Sequence, residues 1–577
     1  MKITKRTELL LPNRQKIILS PNDFLASGGE ASVYRRGQTI IKLYTDTDRL
    51  RRENLPDKIQ LLAKMKHPFV VAPQGVVSDR AGNPLGYQMP FVSGEPLARF
   101  FTNDFRSGLG FTADDNHLLV ERMREVVQFA HGRRALLIDA NELNWLVTKA
   151  DIHRPEPRII DVDSWAIGNW KAQVIMPSIR DWQSKAFNQG TDWFAWGVVT
   201  FQIYTGIHPY KGTLPGYKRY DLKKRMKDQA SVFSKGVRLN RAVRDFSIIP
   251  GPLLDWYVDT FAHGKRTVPP SPLITGQAVT QMGRTFRLVA KAGQNLIFDK
   301  IYAGEQEIVR VFPIGVALLK NGQLVDLATE QQFSGRYNQA VEVVRVSDGW
   351  LIANPQGQQY TFHYARLANG QTQELSLSLD IRRLVRSENR LFVVTERGLT
   401  ELLVKIIGRQ PFLVTGQTWG VLINSTKWFD GVGIQNALGA IYLITPFGEN
   451  ACAQVRVPEL DNLRVVNARG GYRFVTVIAL DAKGNYHKLE FSFDKEYRTY
   501  RLWRGQADNP ELNIAILPKG VCVTVVEDGK LDIFVPSSGA LNSIQNKHIV
   551  TTMFLTNWEN KVVYAQNKNL WQIRLRS

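Results

Sequence analysis

A handful of residues in this chain have types and spacings that could do one kind of chemistry. Lys42 lies in a strand-like run, "TIIKLY". Asp139 and Asn144 stand five residues apart in the apolar segment "LLIDANELNWLV", where nothing local neutralises them. Asp161 and Asp163 end a second apolar run, "RIIDVDSW", and Gly28 and Gly29 form a turn in "LASGGEASVY". Transfer of a phosphoryl group from a nucleotide needs this set. Backbone N–H groups of a glycine turn can approach phosphates because no Cβ intervenes. A strand lysine holds the α and β phosphates, and one Asp orients the attacking hydroxyl and takes its proton. An Asn five residues on and a further Asp hold Mg²⁺. Taken singly, each has an ordinary structural use: Lys42 as a snorkelling strand residue, Asp139 as a loop cap and Asp192 as a helix N-cap. Taken together, in this order, they read as a nucleotide site.

The elements that must position them change character near residue 270. Before about residue 266, helical spacing in "PDKIQLLAKMK" and "HLLVERMREVVQFAHG" alternates with short strands such as "QTIIKLY" and "PRIIDV". The segment "GKRTVPPSPLITG" reads as a linker. Beyond it, strand-like runs flank turns at Gly322, Gly357, Gly398, Gly448, Gly484, Gly529 and Lys568, with spacings of 35, 41, 50, 36, 45 and 39 residues. A period near 41 residues is about one four-stranded propeller blade. Seven such units fill the remaining chain, so a seven-bladed β-propeller is expected. Six or eight blades, or paired β-sandwiches, stay open because no WD dipeptide or kelch diglycine recurs.

With these stretches in order, residues 20 to 268 resemble the eukaryotic-like (Hanks-type) Ser/Thr protein kinases in a divergent bacterial form. "ASGGEASVY" resembles the glycine-rich loop, Lys42 the β3 lysine, and Asp139 with Asn144 the catalytic-loop D-x-x-x-x-N. Asp161 is similar to the metal-binding Asp of D-F-G. "DWFAWGVVTFQIYTGIHPY" resembles the αF segment, and Arg266 the late arginine of the domain. The resemblance implies an α+β bilobal kinase-like fold over residues 1–268 (N-lobe about 1–90, C-lobe about 91–268), a linker over 269–282 and the all-β domain over 283–577. It implies ATP and Mg²⁺ or Mn²⁺ as cofactors. Gly28, Gly29, Val33 and Lys42 would bind the nucleotide, with adenine at a hinge around Gln88 to Val92. Asp139 and Lys42 would be catalytic, and Asn144, Asp161 and Asp163 would hold metal.

The departures are specific. Leu137 and Ile138 replace the His and Arg that precede the catalytic Asp, so activation by loop phosphorylation loses its usual arginine partner. Asp163 replaces the glycine of D-F-G. "MPSIRDW" stands where A-P-E is expected. Lys58 occupies the place of the glutamate that pairs with the strand lysine, leaving Glu53 or Asp57 to serve. A small-molecule kinase of the same fold and a pseudokinase scaffold are the alternatives. The αF-like segment favours a protein substrate, and retention of Lys42, Asp139, Asn144 and Asp161 favours an active site.

Composition bounds the partners. The 577 residues carry a net charge of +21, and Lys211 to Arg244 holds eleven basic residues against two acidic ones. Its centre, "YKRYDLKKRMKDQ", is expected to form a positive helix face. Such a face suits solvent, an acidic protein substrate or nucleic acid. The propeller is the other expected site of substrate recruitment. The kinship also suggests a PP2C-type phosphatase and a von Willebrand A-domain protein as partners. Cys452 and Cys522 are the only cysteines, so neither a disulfide framework nor a zinc site is expected. The most apolar stretch, Trp193 to Ile207, is shorter than the ~20 residues of a membrane span, and the N-terminal apolar run is too short for a signal peptide. A cytoplasmic location is expected.

Overall fold

The computed structural model describes residues 2–575 except 149–150, 172–174, 219–220, 240–242, 274–295, 347, 357–358, 449–450, 519, 527–528, 537–539, 547 and 551–552. The linker expected over 269–282 lies outside the described residues from 274 onward, as does the turn at Gly357.

The architecture is mixed α/β and mostly strand, with an all-β C-terminal part. The N-terminal part begins with a seven-stranded antiparallel sheet. Its strands are β1 (Thr7–Leu10), β2 (Lys16–Leu19), β3 (Phe24–Ser27), β4 (Ala31–Arg36), β5 (Thr39–Tyr44), β6 (Gly75–Ser78) and β7 (Pro84–Pro90), in the order β2-β1-β6-β7-β5-β4-β3. β5 carries Lys42 between two neighbours and is buried along nearly its whole length, which is why its sequence is almost continuously apolar. Gly86 on β7 is required beside it, since a Cβ there would lie 1.9 Å from the Lys42 carbonyl oxygen.

Below this sheet the chain becomes helical. The helix Ala113–Gly132 starts with a capping box, in which Thr112 and Asp115 satisfy each other's backbone N–H groups. The helix Gln189–Thr205 is capped by Asn188 and ends at Gly206, which has φ +78°. It is apolar all round because it is buried all round. Asp192 therefore is not its N-cap but lies in its buried first turn. Among the described residues no helix is long and apolar enough to cross a membrane.

From residue 296 the described chain forms seven successive antiparallel sheets, six of four strands and one of three. The strand Leu296–Ala303 pairs with Asn569–Leu575, so the first strand of the region completes its last sheet. The expected period is thus realised as one sheet per unit.

The basic segment differs from expectation. Among the described residues of the run only Leu222–Lys227 is helical, and several of the run's charges point inward. Arg225 Nε donates to Ala230 O (2.9 Å) and Nη1 to Gly212 O (2.5 Å). Lys211 Nζ donates to Asp508 O across to the C-terminal part (2.9 Å). Helical spacing cannot persist where glycines and backbone carbonyls draw the cations inward.

The two parts share one apolar core. Phe474, Ile478, Tyr486, Leu512 and Cys522 of the sheets belong to the same buried cluster as Trp193, Phe194 and Phe201 of the central helix. Glu511 lies at this seam. Its Oε2 accepts from Asn103 Nδ2 (3.2 Å), while Oε1 is buried without a hydrogen-bond partner. Burial pushes its carboxyl up to about 8 against the lowering influence of Arg244, and Asp104 adds to the rise. The folded chain then holds a proton that the unfolded chain has released above the usual carboxylate range. Stability from this group is complete at low pH and is lost as pH rises through about 8. Between pH 6 and 8.5 the wild type should lose about 1–3 kcal/mol more than Glu511→Gln, measured by urea unfolding. Parallel pH profiles for the two proteins would show that Glu511 is ionised in the fold.

Candidate functional site

The segment containing Asp139 is held from beneath. Asp192, on the central helix, accepts from the backbone N–H of Leu137 (2.9 Å) and Ile138 (3.0 Å), and His131 Nε2 lies 2.9 Å from the same carboxylate. Ile138 is left-handed at φ +62°, a conformation that costs a β-branched residue about 1–3 kcal/mol. The two bonds to Asp192 hold it there and set Asp139 at the top of the turn. Asn144 Nδ2 donates back to Asp139 O (2.7 Å), closing the loop. Burial raises the Asp139 carboxyl above its ordinary range, although Met176 N–H (2.8 Å) and Asn141 bind its ionised form.

The strand Glu156–Ile159 ends one turn earlier than the sequence suggests. Asp161 follows in a left-handed conformation, φ +63°, and its side chain is 40% exposed. Asp163, only 9% exposed, is the middle residue of the short 3-10 turn Val162–Ser164. Both carboxylates meet Lys42: Asp161 Oδ1 is in direct contact, and Asp163 lies at 2.8 and 3.0 Å. Asp163 also accepts from Tyr44 Oη (2.5 Å) and Tyr87 Oη (2.8 Å). Burial alone would raise the Asp163 carboxyl, but the Lys42 charge and these hydrogen bonds prevail and lower it. Burial likewise disfavours the Lys42 ammonium, and the two Asp charges overcome that and raise it.

The geometry shows which carboxylates answer Lys42. Asp163, expected as an extra metal ligand, is here a buried counter-ion of Lys42. Glu53 is bound to Arg49 (3.0 Å) and Asp57 to Asn54 (2.6 Å), so the Lys42 partner is neither of them. Lys58, at the position where a glutamate was expected, donates to Asp163 O (2.6 Å) and holds that turn. The sequence signal was present in the D-V-D spacing, but the short side chain of Asp163 reaches Lys42 only because the turn folds back under β5.

Val33 and Lys42 are paired residues of β4 and β5 and share a face of the sheet. Gly28 and Gly29 form the turn between β3 and β4, where Gly28 N–H donates to Ala31 O (2.9 Å). The expected hinge, Gln88 to Val92, begins at the end of β7, where Gln88 faces Ile41 of β5. The segment "MPSIRDW" has its own anchor: Arg266 forms a two-pronged pair with Asp181 at 2.6 and 2.9 Å. Asp181 was missed because no A-P-E motif marks it, although an acidic residue near residue 180 paired with the late arginine was the available signal.

Among the described residues no three His, Cys, Asp or Glu side chains gather as a metal cluster. The donor set still suits Mg²⁺ carried by a nucleotide, which takes one or two protein oxygens and completes its shell with water and phosphate. The Asn144 amide oxygen and the half-exposed Asp161 carboxylate are such oxygens.

The C-terminal sheets reach this site. A Cβ on Gly484 would meet Ser178 Oγ at 2.2 Å, and Tyr486 Oη donates to Glu142 Oε1 (3.3 Å) in the Asp139 loop. Near the glycine turn, a Cβ on Gly439 would lie 3.6 Å from Ser27 Oγ, and Lys2 Nζ donates to Leu438 O (2.8 Å). No protein-family model matches the chain.

Proposed function

We propose that the chain is an ATP- and Mg²⁺-dependent protein kinase acting on Ser or Thr hydroxyls, with a C-terminal seven-bladed β-propeller. The observation that carries this reading is that four residues from separate segments are linked: Lys42 of β5 meets Asp161, the Asp161 charge acts on Asp139, and Asn144 is bonded to the Asp139 carbonyl. The resemblance of residues 20 to 268 to the eukaryotic-like kinases supports it, and the propeller reading is supported by the seven successive antiparallel sheets, in which the strand Leu296–Ala303 pairs in the last.

On this reading each group has one task. Lys42 binds the α and β phosphates, and Asp163 stays as its counter-ion while the more exposed Asp161 turns to the metal. Asn144 and Asp161 would hold Mg²⁺, which would supply positive charge to the phosphates. Asp139 orients the acceptor hydroxyl and takes its proton, a role favoured by its raised proton affinity. Met176 N–H occupies one oxygen of Asp139 (2.8 Å), and Gly484 of the C-terminal sheets packs against Ser178 two residues on, so the C-terminal part is placed to tune access to Asp139.

The test uses full-length protein with γ-labelled ATP, Mg²⁺ and a mixed protein acceptor. Label on protein is expected. ATP consumption without labelled protein would move the reading to a small-molecule kinase, and absence of Mg²⁺-dependent nucleotide binding would move it to a scaffold.

A further inference from the structure

The nucleotide site has a cation that the kinase resemblance does not assign. Arg464 begins the strand Arg464–Gly471 in the C-terminal sheets. Its Nη2 lies 3.9 Å from where a Cβ on Gly28 would stand, and its charge acts on the Asp139 carboxylate. The guanidinium is exposed and makes no hydrogen bond or ion pair among the described residues. Its neighbourhood is also positive. Burial disfavours the ammonium of Lys427, on the strand Thr426–Phe429; the Glu95 charge favours it, and the charges of Arg464 and Arg99 oppose it. Glu95 answers Arg99 at 2.8 Å and Arg383 at 3.9 Å. Arg99, Arg383 and Lys427 thus share the one Glu95 carboxylate, and Arg464 adds a further positive charge beside the glycine turn.

An arginine without a carboxylate partner has a planar fork that fits phosphate oxygens in pairs. Here the fork stands beside the glycine turn, and its charge reaches the carboxylate that would receive the acceptor's proton. The terminal phosphate of a bound nucleoside triphosphate lies between those two features on any geometry that uses both. We propose that Arg464 is a phosphate-binding residue of the nucleotide site, supplied within the same chain by the C-terminal sheets. This inference rests on the kinase reading above. Its consequence is that the site is complete only while the C-terminal part is seated over the cleft, so displacement of that part removes a phosphate contact as well as opening the acceptor path.

The test measures binding of ATP and of adenosine, with Mg²⁺, to full-length wild type, Arg464→Ala and Arg464→Lys by calorimetry. Arg464→Ala should bind ATP about tenfold to a hundredfold more weakly, the range of one charged hydrogen-bonding contact, and adenosine as the wild type does. Arg464→Lys should recover part of the loss, because it restores charge without the fork. Unchanged ATP affinity in Arg464→Ala overturns the proposal and leaves the kinase reading standing. Equal losses for ATP and adenosine overturn it too, by showing a structural role. A wild type that binds neither ligand removes the kinase reading, and this inference with it.

Discussion

Asp161→Ala is expected to lower phosphoryl transfer by about a thousandfold or more, the scale of losing several kcal/mol of metal-borne charge stabilisation. The physical reason lies in the division of labour between two carboxylates. Asp163 is buried against Lys42, Tyr44 and Tyr87, whereas Asp161 is half exposed and shares only Lys42. Asp161 is thus the carboxylate free to exchange a lysine for a metal. Its removal should also weaken Mg²⁺-dependent ATP binding while leaving metal-free binding little changed. Asp139→Asn provides the contrast. It keeps the shape of the loop and the bond to Met176 N–H, so nucleotide affinity should stay within a few-fold while turnover falls about 10²–10⁴-fold. Single-turnover assays beside calorimetry separate the two. Full activity in Asp161→Ala would sink the kinase assignment.

Lys42→Met should cost stability as well as activity. Lys42 and Asp163 are 10% and 9% exposed, and removing one partner of a buried pair leaves an uncompensated charge, typically at about 3–5 kcal/mol. The pH dependence has a definite sign. In the wild type the Asp163 carboxyl is lowered, so its contribution is present above the unfolded carboxylate range and is lost as pH falls. Without Lys42, burial raises that carboxyl instead, and Asp163 takes up a proton on mild acidification. The stability gap between Lys42→Met and wild type should therefore be largest near neutral pH and narrow toward pH 5. Adding Asp163→Asn to Lys42→Met should recover part of the loss, since an amide needs no counter-ion. Urea unfolding of the three proteins at two pH values decides this. A Lys42→Met protein as stable as wild type would show that Asp163 is already neutral.

Much of the architecture was legible because it follows periodicity. The strand run "TIIKLY", the helical spacing before residue 266 and the near-regular turns beyond 300 each imply their elements, since a side chain that alternates or recurs every third or fourth residue has one face to bury. The basic run after Lys211 was not legible in this way. Its charges gave a helix-like spacing, but Arg225 and Lys211 found backbone carbonyls inside the fold, a preference set by neighbours far along the chain.

The sequence by itself determined which residues are candidates for the chemistry: Lys42, Asp139, Asn144 and Asp161 are legible in it because their types, order and local spacing are one-dimensional facts. Only the tertiary structure decided their partners. That Asp163 answers Lys42, that Asp192 pins Leu137 and Ile138, that Asp181 meets Arg266 and that Arg464 faces the glycine turn all join residues tens to hundreds of positions apart. A carboxylate's partner depends on distances of a few ångströms in low dielectric, and no local pattern encodes a distance between segments that only packing brings together.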